Sequence, residues 1–71
     1  MAKRMDLLIT MTGEIDNAEV YEKVKEYGMN VLTIGQEVWV HGTVLSGDPV
    51  IGKIVKICAQ YGDFDVHLKL L

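Results

Sequence analysis

The stretch TGEIDNAEVYEKVKEYG at residues 12–28 is echoed by SGDPVIGKIVKICAQYG at residues 46–62. Thr12-Gly13-Glu14 recurs as Ser46-Gly47-Asp48, and Tyr27-Gly28 recurs as Tyr61-Gly62, with one common offset of roughly half the chain. A helix-like pattern lies between the repeated motifs in both copies, and a strand-like pattern follows each copy. Half of a 71-residue chain cannot bury a core alone, so the two copies are expected to pack into one sheet-and-helix layer.

Alternation and helical spacing predict the order strand, helix, strand, strand, helix, strand. The predicted strands are 5–12, 30–34, 37–45 and 63–70, and the predicted helices are 17–27 and 49–61. Asp16 and Asp48 are placed to cap the two helices at their starts. Two split strand-helix-strand units with right-handed crossovers give an antiparallel sheet of order 4-1-3-2, with both helices on one face.

This βαββαβ order resembles the broad ferredoxin-like superfold, an α+β class that includes ACT-type regulatory domains. The resemblance covers nearly the whole chain as a pattern of elements, so a single domain is expected over residues 1–71, with residues 1–4 as a flexible tail. ACT-like domains bind small effectors near the first strand–helix loop. The resemblance therefore implies a ligand-binding position at Thr12, Gly13, Glu14 and Asp16.

The third strand presents a conflict between repeat and alternation. The repeat offset matches Leu7, Ile9 and Met11 with His41, Thr43 and Leu45, whereas alternation buries Val38, Val40 and Val44. Gly42 could mark a β-bulge that switches faces midway. We follow the alternation for the first half of this strand and leave the second half open.

Charge and cysteine content narrow the classes of function. The formal net charge is −3, and the only basic pair, Lys3-Arg4, lies in the predicted tail, which disfavours nucleic-acid binding. No apolar run is long enough to span a bilayer, so no membrane partner is expected. Cys58 is the only cysteine; it cannot form an internal disulfide and fits a reducing cytoplasmic setting.

The sheet face opposite the helices is the main candidate for interaction. It is expected to carry Leu8, Thr10, Thr12, Val31, Trp39, His41, Asp65 and His67. These apolar side chains are either scattered surface residues or part of a covered face, which could be a homodimer interface or the floor of a ligand site. We favour a homodimer or higher homo-oligomer, with interface residues Trp39, Leu8, Val31, His41 and His67.

The two histidines suggest a metal only weakly. His41 and His67 lie on the two strands that flank strand one, about 10 Å apart from two strand spacings. They could share a metal only across a small residue such as Thr10, and a third ligand is missing unless Asp65 or a second subunit supplies it. We therefore expect surface or interface histidines, with no metal and no cofactor.

Groups suited to catalysis are sparse in the sequence. No serine or threonine stands beside a histidine with a convincing third partner. An acylphosphatase of this fold needs an arginine in the first loop, whereas the only arginine, Arg4, lies in the predicted tail. The expected function is a small cytosolic, non-catalytic binding or assembly module that self-associates through its sheet face. The alternative is an ACT-like regulatory domain that senses a small molecule; a metal-binding protein or an enzyme is less favoured.

Overall fold

Four strands and two helices form the domain. The computed structural model of the chain describes residues 2–71, and Met1, the first residue of the expected tail, lies outside the described residues. The elements are β1 (Arg4–Thr12), α1 (Asn17–Val24), a 3₁₀ turn (Lys25–Tyr27), β2 (Asn30–Ile34), β3 (Glu37–Leu45), α2 (Val50–Ala59) and β4 (Phe64–Leu70). The α+β sheet has the order β2-β3-β1-β4, and each strand is antiparallel to its neighbours. This is the predicted order 4-1-3-2 counted from the opposite edge, so the predicted topology of the sheet is confirmed.

The third strand keeps one alternation along its whole length. The β1–β3 ladder runs without a break from Arg4 opposite Leu45 to Thr12 opposite Glu37. The proposed bulge at Gly42 is therefore wrong. The glycine instead makes room for Met29, because a Cβ at position 42 would lie 2.6 Å from the Met29 Cε. The sequence did not decide which face the second half of this strand buries. The structure shows that it buries Val44, which is 5% exposed.

One hydrophobic cluster joins the sheet to both helices. Its buried members are Leu7, Ile9 and Met11 of β1, Val38, Val40 and Val44 of β3, Val20 and Val24 of α1, Ile54 and Cys58 of α2, and Met29 before β2. The β1 and β3 members are alternate residues, as expected for one buried face of a sheet. Both helices contribute to this cluster, so it occupies the helix side of the sheet.

The aspartates that the sequence marks as caps bond to the first turns of both helices, although the N-cap residue of α2 is Pro49 and Asp48 precedes it. The Asp16 Oδ1 accepts a hydrogen bond from the Ala18 N–H at 3.0 Å, and the Asp48 Oδ1 accepts one from the Val50 N–H at 2.9 Å. These bonds satisfy backbone donors that the first helical turn leaves free. Their effect is to fix where the chain leaves the sheet after β1 and after β3.

The amino-terminal end of the described chain is tied to the sheet. The Lys3 N–H donates to the Ser46 Oγ at 3.1 Å, and the Ser46 N–H donates to the Lys3 carbonyl at 2.8 Å. Arg4 is already part of β1. The expected flexible tail over residues 1–4 is therefore too long, since Lys3 bonds to Ser46 and Arg4 pairs with Leu45 of β3. Across residues 2–71, neither helix has the length and apolar character needed to cross a membrane.

Candidate functional site

The side of the sheet opposite the helices, called the open face below, presents its side chains in cross-strand rows. The rows are Ile34, Glu37 and Thr12; Leu32, Trp39, Thr10 and Asp65; Asn30, His41, Leu8 and His67; and Thr43, Asp6 and Lys69. They follow from the registers of β2, β3 and β4, because directly opposed residues point to the same side of an antiparallel sheet. Within residues 2–71, both helices pack into the cluster on the other side, so no helix covers the open face.

A depression of about 830 Å³ lies on the open face. Its apolar lining is formed by Leu8, Leu32, Ile34 and Trp39, and its polar lining includes His41, His67, Asp6 and Lys69. Leu32 is 38% exposed and Ile34 is 44% exposed. A contiguous apolar surface with a polar surround is typical of a binding face rather than of scattered surface residues.

The assignment of Val31 to the open face is wrong. Val31 stands opposite Val40, which is fully buried in the core, and it packs half-buried against that cluster. Leu32 and Ile34 take its place on the open face, and the sequence analysis missed both. The signal was present in the sequence, because a two-residue loop at Gly35-Gln36 places Leu32 opposite Trp39.

Trp39 lies on the open face, between Leu32 of β2 and Thr10 of β1. Its ring is half-buried among these neighbours. The indole Nε1–H is enclosed and has no hydrogen-bond acceptor in the described part of the chain. An enclosed donor without a partner costs about 1–3 kcal/mol. An aromatic side chain without an N–H group, such as phenylalanine, would avoid this cost at position 39.

The two histidines flank a leucine rather than a threonine. His41 and His67 both stand opposite Leu8 of the central strand. The Leu8 side chain therefore occupies the space between the imidazoles, where a shared metal would have to sit. Across residues 2–71, no group of three or more histidine, cysteine or acidic side chains is arranged to hold a metal ion.

The loop between β1 and α1 has its polar groups engaged in structure. The Asp16 carboxylate caps α1, and the Gly13 N–H donates to the Gln36 carbonyl at 3.4 Å. Gly13 has a φ of 131°, which lets the chain turn away from the sheet. Thr12 and Glu14 are exposed beside them. The structure thus brings these four residues together, and capping and turn formation account for the Gly13 N–H and the Asp16 carboxylate.

Cys58 belongs to the core and not to a reactive site. It is fully buried on α2, and burial raises the pKa of its thiol to about 11. At neutral pH the sulfur is therefore protonated, and a protonated thiol is a poor nucleophile and a poor metal ligand.

Strand β4 exposes apolar side chains on the helix side of the sheet. Val66, Leu68 and Leu70 are 39%, 45% and 58% exposed, although their partners in β1 are the core-facing residues Ile9, Leu7 and Met5. Of the apolar residues of this strand, only Phe64 is half-buried. The helices leave the outer part of β4 uncovered.

The comparisons with known proteins assign no family to the chain. No family model, no curated protein and no solved structure matches it. The functional argument therefore depends on the open face and on β4.

Proposed function

We propose that this chain is a small, non-catalytic assembly module with a ferredoxin-like fold, which self-associates through its open face. The observation that carries the proposal is the group formed by Leu8, Leu32, Ile34 and Trp39, on a face that neither helix of residues 2–71 covers. The βαββαβ order and the sheet order β2-β3-β1-β4 support the ferredoxin-like assignment.

A second copy of the chain is the favoured occupant of this face. Closed symmetric homo-oligomers are common among soluble proteins, and a two-fold interface uses the same patch on both subunits. The open face carries acidic Asp6 and Asp65 as well as basic Lys69. When two open faces pack together, acidic side chains of one copy can therefore lie opposite the lysine of the other, around an apolar centre. A domain of this size also buries a limited core, which makes a second apolar contact valuable.

The reactive side chains favour an assembly role over catalysis. The Cys58 thiol is protonated and buried, and His41 is separated from His67 by Leu8. The Asp16 carboxylate caps a helix. A cytosolic location is part of the proposal, and its support is the single, buried cysteine.

The second candidate function is a regulatory domain that binds a small molecule. The observation that favours it is the 830 Å³ depression, which falls in the size range of small-molecule sites. The open face is then the binding position, rather than the loop at residues 12–16 implied by ACT-type domains. A thermal-shift screen with amino acids, nucleotides and divalent metals separates the two functions. A ligand at about 100-fold its dissociation constant adds about 2.7 kcal/mol of stability.

Sedimentation equilibrium over micromolar concentrations tests self-association through the open face. Trp39→Ala is expected to weaken the oligomer by about 2 kcal/mol or more, because central indoles dominate interfaces of this kind. Trp39→Phe removes the unpartnered donor but keeps most of the ring, so the stability of the separate subunit should be equal or higher. Because the Nε1–H is enclosed within its own subunit, Trp39→Phe should weaken association less than Trp39→Ala.

Tyr21→Ala is the matched control, because Tyr21 is an aromatic residue of α1 that is 41% exposed and lies away from the open face. Its removal should leave the association constant unchanged. A wild-type monomer throughout the concentration range would contradict the proposal. A Trp39→Ala variant that unfolds more easily but associates normally would also contradict it, and would assign Trp39 to packing within one subunit.

A further inference from the structure

The outer edge of β4 carries a row of unpaired backbone groups. The Leu71 N–H donates to the Arg4 carbonyl at 3.3 Å, which sets the phase of the β1–β4 ladder. Hydrogen-bonded and non-hydrogen-bonded pairs alternate in such a ladder. Asp65, His67 and Lys69 therefore bond to β1, whereas Val66 and Leu68 direct their N–H and C=O groups outward. A free row of this kind is a template for another strand.

The opposite edge of the sheet, formed by β2, is less available. Strand β2 has five residues, whereas β4 has seven. Helix α1 also contacts β2 closely, and the Asn17 Nδ2 donates to the Thr33 Oγ1 at 2.8 Å. On the helix side of β4, in contrast, Leu68 and Leu70 are largely exposed. An added strand is therefore expected at β4.

We propose that β4 pairs with β4 of a second copy of this chain, antiparallel and centred on His67, so that two sheets join into one of eight strands. The two-fold axis then stands perpendicular to the sheet, which keeps the helices of both copies on one side. All seven residues of Phe64–Leu70 gain a partner in this register. Val66 and Leu68 form the hydrogen-bonded pairs, in agreement with their outward-facing backbone groups.

Charge complementarity within the strand supports this register. With the centre at His67, Asp65 of each copy stands opposite Lys69 of the other, which gives two opposite-charge pairs on the open face. On the helix side, Val66 stands opposite Leu68. The strand is thus complementary to its own antiparallel copy in both charge and apolar character.

Neighbouring registers fit less well. A shift of the centre to Leu68 places His67 opposite Lys69 and leaves Asp65 without a basic partner. A shift of the centre to Val66 places Lys69 opposite Asp63, which precedes the strand, and removes the partner of Leu70 from the strand, because Leu70 then stands opposite Gly62. These two alternatives change the register by two residues. A change of register by one residue would put the apolar side chains of one copy beside the charged side chains of the other.

The pairing also covers the exposed helix side of β4. Helix α2 contacts β4 within each subunit. A perpendicular two-fold axis beside β4 places the α2 of the second copy on the same side, across the two paired strands. Val66, Leu68 and Leu70 then lie between two helices. This surface is distinct from the open face centred on Trp39, and either surface can exist without the other.

A pair of charge-reversed chains tests the register. Asp65→Lys places lysine opposite lysine in a dimer of that variant, and Lys69→Asp places aspartate opposite aspartate in the other. Each variant alone should pair at β4 about tenfold or more weakly than the wild-type chain. An equimolar mixture restores two opposite-charge pairs, and native mass spectrometry with one chain isotopically labelled should show a 1:1 heterodimer.

The mixture is its own control for folding. Lys69→Asp also places a carboxylate opposite Asp6 of β1, but this contact lies within one chain and is the same alone and mixed. A gain on mixing therefore reports on pairing between copies, and the same gain in the Trp39→Ala background assigns it to β4, because Asp65 and Lys69 also lie on the open face. Circular dichroism of each variant alone verifies that both remain folded. A mixture that associates no better than its components overturns the proposal.

Amide hydrogen exchange of the wild-type chain locates the contact. The outward-facing Val66 and Leu68 amides should become protected as the protein concentration rises, whereas the His67 amide is bonded to β1 at all concentrations. The same protection in Trp39→Ala would separate this edge from the open face. Val66 and Leu68 amides that exchange freely at every concentration would show that no second copy occupies this edge, whatever the outcome for Trp39.

Discussion

Replacing Gly42 by alanine tests the closest packing between β3 and the chain that precedes β2. An added Cβ would lie 2.6 Å from the Met29 Cε, 2.8 Å from the Met29 Sδ and 3.1 Å from the Gly28 carbonyl oxygen. Met29 is only 2% exposed, so its side chain cannot move into solvent without leaving the core. The backbone oxygen is also fixed, because Gly28 ends the turn before β2.

The net effect of Gly42→Ala on the free energy of unfolding is the difference between the cost of overpacking and the gain from lower backbone entropy of the unfolded chain. Overpacking of a core costs about 1–3 kcal/mol. Removing a glycine from a strand returns about 0.5–1 kcal/mol through backbone entropy. Gly42→Ala should therefore lower the free energy of unfolding by about 1 kcal/mol, within a range of about 0–2.5 kcal/mol. In a domain of this length, each kcal/mol corresponds to about 4–8 °C in Tm.

Gly52→Ala is the matched control, with the opposite expected sign. Gly52 lies in the exposed part of α2, and a Cβ there would meet nothing within 4 Å. Alanine should stabilise the helix by about 0.5–1 kcal/mol. Urea unfolding followed by circular dichroism, at one fixed protein concentration, measures both variants. The fixed concentration matters because self-association adds to apparent stability.

Two outcomes would refute this account of Gly42. The first is a Gly42→Ala variant at least as stable as the wild-type chain. The second concerns the Met29→Ala background, in which the Sδ and Cε atoms are absent. The cost of Gly42→Ala should fall there, because contacting residues show non-additive effects. An unchanged cost would show that Met29 is not the source of the strain.

Two further measurements test the helix caps and the core. Asp48→Ala should lower stability by about 1 kcal/mol by removing the acceptor of the Val50 N–H, whereas Asp48→Asn retains an acceptor and should lower it less; equal losses in urea unfolding would argue against the cap. The Cys58 thiol should react with a disulfide reagent at pH 8 only after urea unfolding, because burial raises its pKa to about 11; fast reaction of the native protein would place Cys58 at the surface.

The sheet order follows from local signals that the sequence carries in full. Alternation in β1 and the aspartates before each helix identify the elements, and right-handed crossovers then leave one antiparallel order. The face of a short strand is harder to predict. Strand β2 carries apolar residues on both of its faces, with Val31 on one face and Leu32 and Ile34 on the other. The phase is set by β3 through the tight turn, and not by β2 alone.

Other features depend on contacts between distant residues. The role of Gly42 could not be predicted, because the Met29 side chain reaches it from a different part of the chain. The exposure of Leu68 and Leu70 depends on where α2 ends and which strands it covers. Apolar alternation in β4 indicates a buried face, but it does not say whether the chain's own helices or a second copy buries it.

The two proposed surfaces place a geometric condition on any assembly that uses both. Pairing at β4 requires a two-fold axis perpendicular to the sheet, and packing of two open faces requires a two-fold axis parallel to it. Perpendicular two-fold axes close into a tetramer only if they intersect; otherwise the assembly stays open and grows.

The β4 axis passes between the two copies of His67, so a closed assembly needs the second axis to cross that point, and an axis along the row of His41, Leu8 and His67 meets this condition. In that arrangement Leu8 lies on the axis, and Trp39, one row away, faces the row of Thr43, Asp6 and Lys69 of the opposing sheet, with Thr43 of the same strand β3 directly opposite. An axis along the Trp39 row would miss the β4 axis and yield filaments. Closure therefore favours an interface in which Leu8 meets Leu8 of the second copy on the axis, while the Trp39 ring packs against a polar row instead of forming the centre of the contact.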